Sequence, residues 1–144
     1  MNIPMYQADA FTDTLFGGNP AAICPLQKWL PDAIMQQIAA ENNLAETAFF
    51  VQTDKGYLLR CFTPELEIDL CGHATLASAH ILFTELGYNE PAIYFETLKA
   101  GVLAVTSEGD KYTLDSPSRP PQQVSTLPMD LIHALGGQLP VEVL

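Results

Sequence analysis

The sequence predicts an α+β fold: a curled, barrel-like, mostly antiparallel sheet wrapped around one central buried helix. Residues 67–83, EIDLCGHATLASAHILF, turn helical from residue 73, with small and apolar residues on every side instead of in one stripe. A helix of that kind is buried all round. Short β-rich runs flank it, ETAFFV and YLLRCFT before it and AIYFET, VLAVTSE and KYTLDS after it, separated by Gly-containing turns. Such runs pair as antiparallel strands, and the economical way to enclose one all-apolar helix is to curl the sheet around residues 73–86.

Each element has a local cause. Residues 3–10 alternate weakly around Tyr6 and read as an opening strand; the turn residues of DTLFGGNPAAI follow, and the loop ends near Pro20. Pro31 and Asp32 mark a helix start, Ile34, Met35, Ile38 and Ala39 supply an apolar face, and Asn42 and Asn43 mark the exit. ETAFFV and YLLRCFT are joined through Thr53-Asp54-Lys55-Gly56, a hairpin turn with Gly at its bend, and Glu46 opens the first of these strands on the face of Ala48 and Phe50. The central helix closes at Gly87, a left-handed cap. Pro117, Pro120, Pro121 and Pro128 mark residues 117–128 as a linker that cannot enter a central strand. MDLIHALGG then begins a helix and PVEVL a strand. The expected organisation is a domain over 1–116, the linker, and over 129–144 the start of a second domain too small to bury a core, as in a truncated or split polypeptide.

The 144 residues are 48% apolar, enough for one globular core. Seventeen acidic against six basic side chains give a net charge of −11, which repels phosphate backbones and anionic lipid and argues against nucleic acid and membrane surfaces as partners. The N-terminus lacks an export signal, and the apolar run within 70–83 is too short to cross a bilayer. Cys24, Cys61 and Cys71 show neither a CxxC pair nor metal-type spacing, so no disulfide framework and no zinc site are expected, and a reducing cytoplasm fits.

Cys71, Gly72 and His73 stand at the start of the buried helix, where backbone N–H groups are unpaired and the helix dipole is positive. Such an end suits a carboxylate or phosphate, and Gly72 lets an anion approach the backbone. It also favours a Cys71 thiolate and a neutral His73; an ordinary cap with a buried cysteine is the alternative. Glu46, in the apolar setting LAETAFF, would have a raised pKa suited to general acid or base work, unless it is a solvated strand end. Asp69 either orients the Cys-Gly-His turn or is a surface acid. His80 lies too far along the helix to share a metal with His73 and reads as a core histidine.

Together FGGNPAAI, LAETAFF, CFTPELEIDLCGHATLASA and YTLDSPSRPP resemble the first half of the PhzF-like isomerases of phenazine biosynthesis, related in fold to diaminopimelate epimerase. The resemblance covers essentially the whole chain. It implies a metal- and cofactor-independent, proton-shifting isomerase of two similar halves, each a barrel-like sheet around a helix, with the site between them. By it, Glu46 is the acid/base residue, His73 lines the site, Gly72 and its neighbours offer donors to a substrate carboxylate, and Asn19 stands near the same pocket. Cys71 sits where epimerase relatives carry a catalytic thiol, which makes a thiol epimerase a third reading beside the glutamate isomerase and a non-catalytic binding or scaffold protein. With the second half missing, the chain is expected to self-associate or to pair with that half.

Overall fold

The computed structural model describes residues 2–118, 120, 122 and 129–137. Their strands form one sheet of order β1-β2-β3-β4-β6-β7-β8: β1 is Tyr6–Ala10, β2 Asn19–Leu26, β3 Glu46–Thr53, β4 Gly56–Phe62, β6 Ala92–Thr97, β7 Val102–Glu108 and β8 Lys111–Asp115. The two-residue β5, Glu67–Ile68, pairs with β4 alone. Most junctions are antiparallel, as expected, while β2–β3 and β4–β6 are parallel.

A parallel junction needs a crossover connection, and each of the two here carries a helix. Helix α1, Asp32–Asn42, joins β2 to β3. It packs Met35 and Ala39 on Cys24, Phe49 and Phe62, the outer face of the sheet. Helix α2, Gly72–Thr84, connects β4 to β6 and lies on the inner face, among Ile23, Ala48, Phe50, Leu59, Phe95, Leu103 and Val105. Successive residues alternate between faces, so Ile23 with Phe50 and Cys24 with Phe49 serve opposite cores. Phe49 and Phe95 are fully buried, and each such side chain contributes roughly 1.5–3 kcal/mol of burial free energy.

Helix α2 touches β1, β2 and β3 on one flank and β7 and β8 on the other, so the sheet curls around it into an open half-barrel. Eight of its residues are buried, from His73 to Leu82. His80 and Thr84 are exposed, which corrects the expectation of a core histidine: the gap between edge strands β1 and β8 leaves that side of the helix open, and His80 Nδ1 meets Tyr112 Oη at 3.1 Å.

Local signals account for the ends. Asn43 caps α1 in the left-handed region, at φ 50°, and Gly87 has φ 69° just beyond α2. In the β3–β4 hairpin Gly56 has φ 138°, and a side chain there would run into the Tyr94 carbonyl of β6; glycine is the residue that satisfies both demands. Strand β2 has no counterpart in the sequence expectation, which passes from the loop ending near Pro20 to the helix start at Pro31. Pro25 is tolerated because it lies past Ile23, the last β2 residue paired with β1, so its missing N–H costs no bond on that side.

The cysteine expectation is overturned: Cys61 and Cys71 form a disulfide, with Cα atoms 6.5 Å apart. Their spacing of ten residues gave no sign of it, and the inference of a reducing compartment loses that support. Among the described residues no helix is long and apolar enough to cross a membrane. Beyond the proline-rich stretch, Met129–Ala134 forms α3, with no buried residue. The expected strand at 140–144 lies outside the described residues.

Candidate active site

The two halves of the candidate site come from strand starts and a helix start at one end of the half-barrel. Glu46, the first residue of β3, pairs with Ala21 of β2 in parallel register. Paired residues share a face, and Ala21 with Ala48 belongs to the inner core. The Glu46 carboxyl is thereby aimed at the beginning of α2, with Oε2 3.2 Å from His73 Nδ1. Asn19, two residues before Ala21, shares that face at the mouth of β2.

Both members of the pair are nearly enclosed, their side chains 13% and 9% exposed for Glu46 and His73. Among the described residues, Glu46 Oε2 and His73 Nε2 are buried without a hydrogen-bond partner. Burial raises the Glu46 carboxyl to about 7, against the opposing pull of the Ala74 backbone N–H that donates to it. Burial also lowers the His73 pKa, opposed by the Pro20 carbonyl beside the ring. Both shifts favour the uncharged forms, and an ion pair here would carry the desolvation cost of two charges. The contact is therefore read as a carboxylic acid beside a neutral imidazole. A carboxyl that titrates near neutral pH is populated both as proton donor and as proton acceptor.

At the first residue of α2, the space where a Gly72 side chain would stand has Leu114 Cδ2 as its nearest neighbour, at 3.8 Å. The backbone there is not crowded, and the first-turn N–H groups of a helix have no partner within it. Glu46 and His73 thus meet beside Gly72 at the start of α2, and Asn19 lies two residues along β2 from Ala21, the partner of Glu46. Two of the six predicted positions stand differently. Cys71 is the N-cap of α2, but its sulfur is bonded to Cys61 and is not a free thiol. Asp69 pairs with Lys99 at 2.9 Å and lines a neighbouring cavity with the two cysteines. Sequence reasoning missed the Pro20 carbonyl and Cys61. Cys61 carried one usable signal, its place on the inward face of β4 with Tyr57 and Leu59.

The description "Phenazine biosynthesis-like protein" belongs to the family whose sequence model matches residues 8–132. An uncharacterized isomerase of Pseudomonas aeruginosa is 50% identical over 136 residues, covering 94% of this chain and 52% of the relative. Phenazine biosynthesis-like domain-containing protein 2 of Mus musculus is 43% identical over 153 residues, covering 99% and 52%. The crystal structure of a phenazine biosynthesis protein of the PhzF family from Enterococcus faecalis superposes with a TM-score of 0.82 at 51% identity, covering 94% of this chain and 52% of that one. The chain spans about half the length of these relatives. With a match over all but its first seven and last twelve residues, the chain belongs to the PhzC-PhzF, phenazine biosynthesis-like family.

Proposed function

We propose that this chain carries the acid/base half of a cofactor-independent isomerase site for a small carboxylate-bearing substrate. The observation that supports the reading is the burial of Glu46 against His73 at the start of α2, with a carboxyl that titrates near neutrality. In its ionised form Glu46 takes a proton from a carbon beside an activating group, and as the acid it returns the proton at another position. The first-turn N–H groups around Gly72 hold the substrate carboxylate and offset the charge that develops, while His73 and Asn19 line the pocket. A positioned base contributes roughly 10²–10⁴-fold, and fixed donors act where charge develops in the transition state.

The site is completed, in this reading, by a second half-barrel or a second copy of the chain. Phe11, Leu15 and Phe16, 73%, 84% and 98% exposed on the loop leading to Asn19, are the surface it would cover. A non-catalytic binding role, using the same helix start to hold a carboxylate, is the second reading. A thiol epimerase is disfavoured while Cys71 is bonded to Cys61.

Solvent exchange tests the proposal. The chain, alone and with the C-terminal half of a relative in trans, is incubated in deuterium oxide with a panel of small carboxylates, and deuterium at carbon is read by NMR. Exchange that disappears in Glu46→Gln and persists in Cys71→Ser supports the isomerase; binding without exchange in every combination favours the binding protein.

A further inference from the structure

Cys61 and Cys71 take no part in the proton chemistry above, yet their bond sits at its threshold. Cys71 directly precedes Gly72 and His73 and has no side-chain capping hydrogen bond; its sulfur ties the start of α2 to β4 instead. We propose that Cys61 and Cys71 are a reversible thiol–disulfide pair, whose bond fixes the first turn of α2 and whose reduction loosens it.

The surroundings favour exchange. A cavity of about 60 Å³ is lined by both cysteines with Ile68, Asp69, Leu98 and Lys99. Its outer wall is a surface turn, with Leu98 68% exposed, and the Lys99–Asp69 ion pair, whose side chains are 70% and 45% exposed. A pair so exposed contributes little stability, so little energy holds this wall in place over sulfurs that are themselves buried, Cys61 at 2% and Cys71 at 4% exposed. The backbone also keeps the two residues adjacent when the bond is open: Cys61 is paired with Ile68 in the β4–β5 ladder, three residues before Cys71. Re-formation is then a local event. The positive end of the 13-residue α2 favours a Cys71 thiolate as leaving group, which speeds disulfide exchange. Thr75 Oγ1, 3.7 Å from Cys71 Sγ, stands ready to accept from the reduced thiol. Cys24 is buried on the outer face of the sheet, and burial pushes its thiol up to about 11, so it does not compete.

A dithiol supplies the two electrons of reduction. One of its thiolates attacks Cys61 Sγ, the S–S bond breaks and Cys71 leaves as thiolate. The second dithiol sulfur then displaces Cys61, which takes up a proton, and the reductant departs as a cyclic disulfide. A peroxide closes the cycle. The Cys71 thiolate attacks one peroxide oxygen, giving a sulfenic acid and hydroxide; Cys61 attacks the sulfenic sulfur, its thiol proton leaves with the displaced hydroxide as water, and the bond is restored. Glu46 is not needed, so the proposal stands apart from the isomerase reading.

The experiment equilibrates the full chain with graded ratios of reduced and oxidised dithiothreitol near neutral pH. Thiols are counted by alkylation and mass spectrometry, and amide hydrogen exchange is followed residue by residue. The expected result is a reversible change from one free thiol, Cys24, to three, undone by hydrogen peroxide, with the circular dichroism unchanged and exchange at residues 72–75 several-fold faster in the reduced form. Cys61→Ser and Cys71→Ser should each show the fast exchange and ignore dithiothreitol. Reduction that requires prior unfolding in urea, three thiols that persist after peroxide, or equal exchange at 72–75 in both forms would overturn the proposal. So would failure of both serine variants to fold, since a reversible pair requires a folded reduced state.

Discussion

Glu46→Gln should make the protein more stable at alkaline pH while leaving it unchanged in acid. The Glu46 carboxyl titrates at about 7 when folded, against an ordinary value of 4.5, because burial disfavours its charge. A group whose folded pKa is raised contributes stability that is fully present below its unfolded pKa and lost as pH rises through the folded one. The window is therefore pH 4.5 to about 7. At 1.36 kcal/mol per pH unit, that gap corresponds to about 3 kcal/mol, and solvent reaching the mouth of the site reduces it to roughly 1–3 kcal/mol. Glutamine keeps an oxygen for the Ala74 N–H and an N–H for His73, so it mimics the protonated acid. His73 has the opposite slope: its folded pKa is depressed, so the stability it contributes is present above its unfolded pKa of 6.5 and is lost as pH falls. That slope exists in both proteins and largely cancels in their difference. Urea denaturation of both across this range is the assay, read as the difference in unfolding free energy. A difference that does not vary with pH, or a glutamine variant that is the less stable one in alkali, would refute a desolvated Glu46.

Arg60→Lys should lower stability by roughly 1–3 kcal/mol, read from the urea midpoint. The guanidinium makes two 2.7 Å bonds to Glu67 and one of 2.8 Å to Asp32, and lies over Trp29 and Phe62; a lysine cannot reproduce this fork. Gly56→Ala should cost more than about 1 kcal/mol, since the site demands φ 138° and places the Tyr94 carbonyl against any side chain; an unchanged thermal midpoint would contradict this. Cys24 should resist alkylation in the native protein at neutral pH and react once unfolded, because burial both shields its thiol and pushes it up to about 11.

The central helix was legible because its sequence offers no polar stripe, and Glu46 because a carboxylate amid LAETAFF has few ways to stay solvated. Pro31, Asp32 and Asn43 marked α1 for the local reason that caps are local. Strand β2 escaped notice because whether Pro20 and Pro25 disturb a strand depends on which side β1 pairs, a tertiary fact. The disulfide was hidden for the same reason, since β4 and the start of α2 approach only after β5 turns the chain back. Asp69 looked like part of the site by its neighbours in sequence, yet its carboxylate found Lys99 from the β6–β7 turn. The opening that exposes His80 follows from the sheet staying open between β1 and β8.

The most direct measurement is a carbon-13 NMR titration of the Glu46 side-chain carboxyl, assigned by comparison with Glu46→Gln, in the absence and presence of a small carboxylate such as acetate. The account predicts a midpoint near 7, and a shift in both the midpoint and the backbone amide signals of residues 72–74 when the carboxylate is added. A Glu46 that titrates in the ordinary carboxylate range, with the amide signals at the start of α2 indifferent to the added anion, would contradict it.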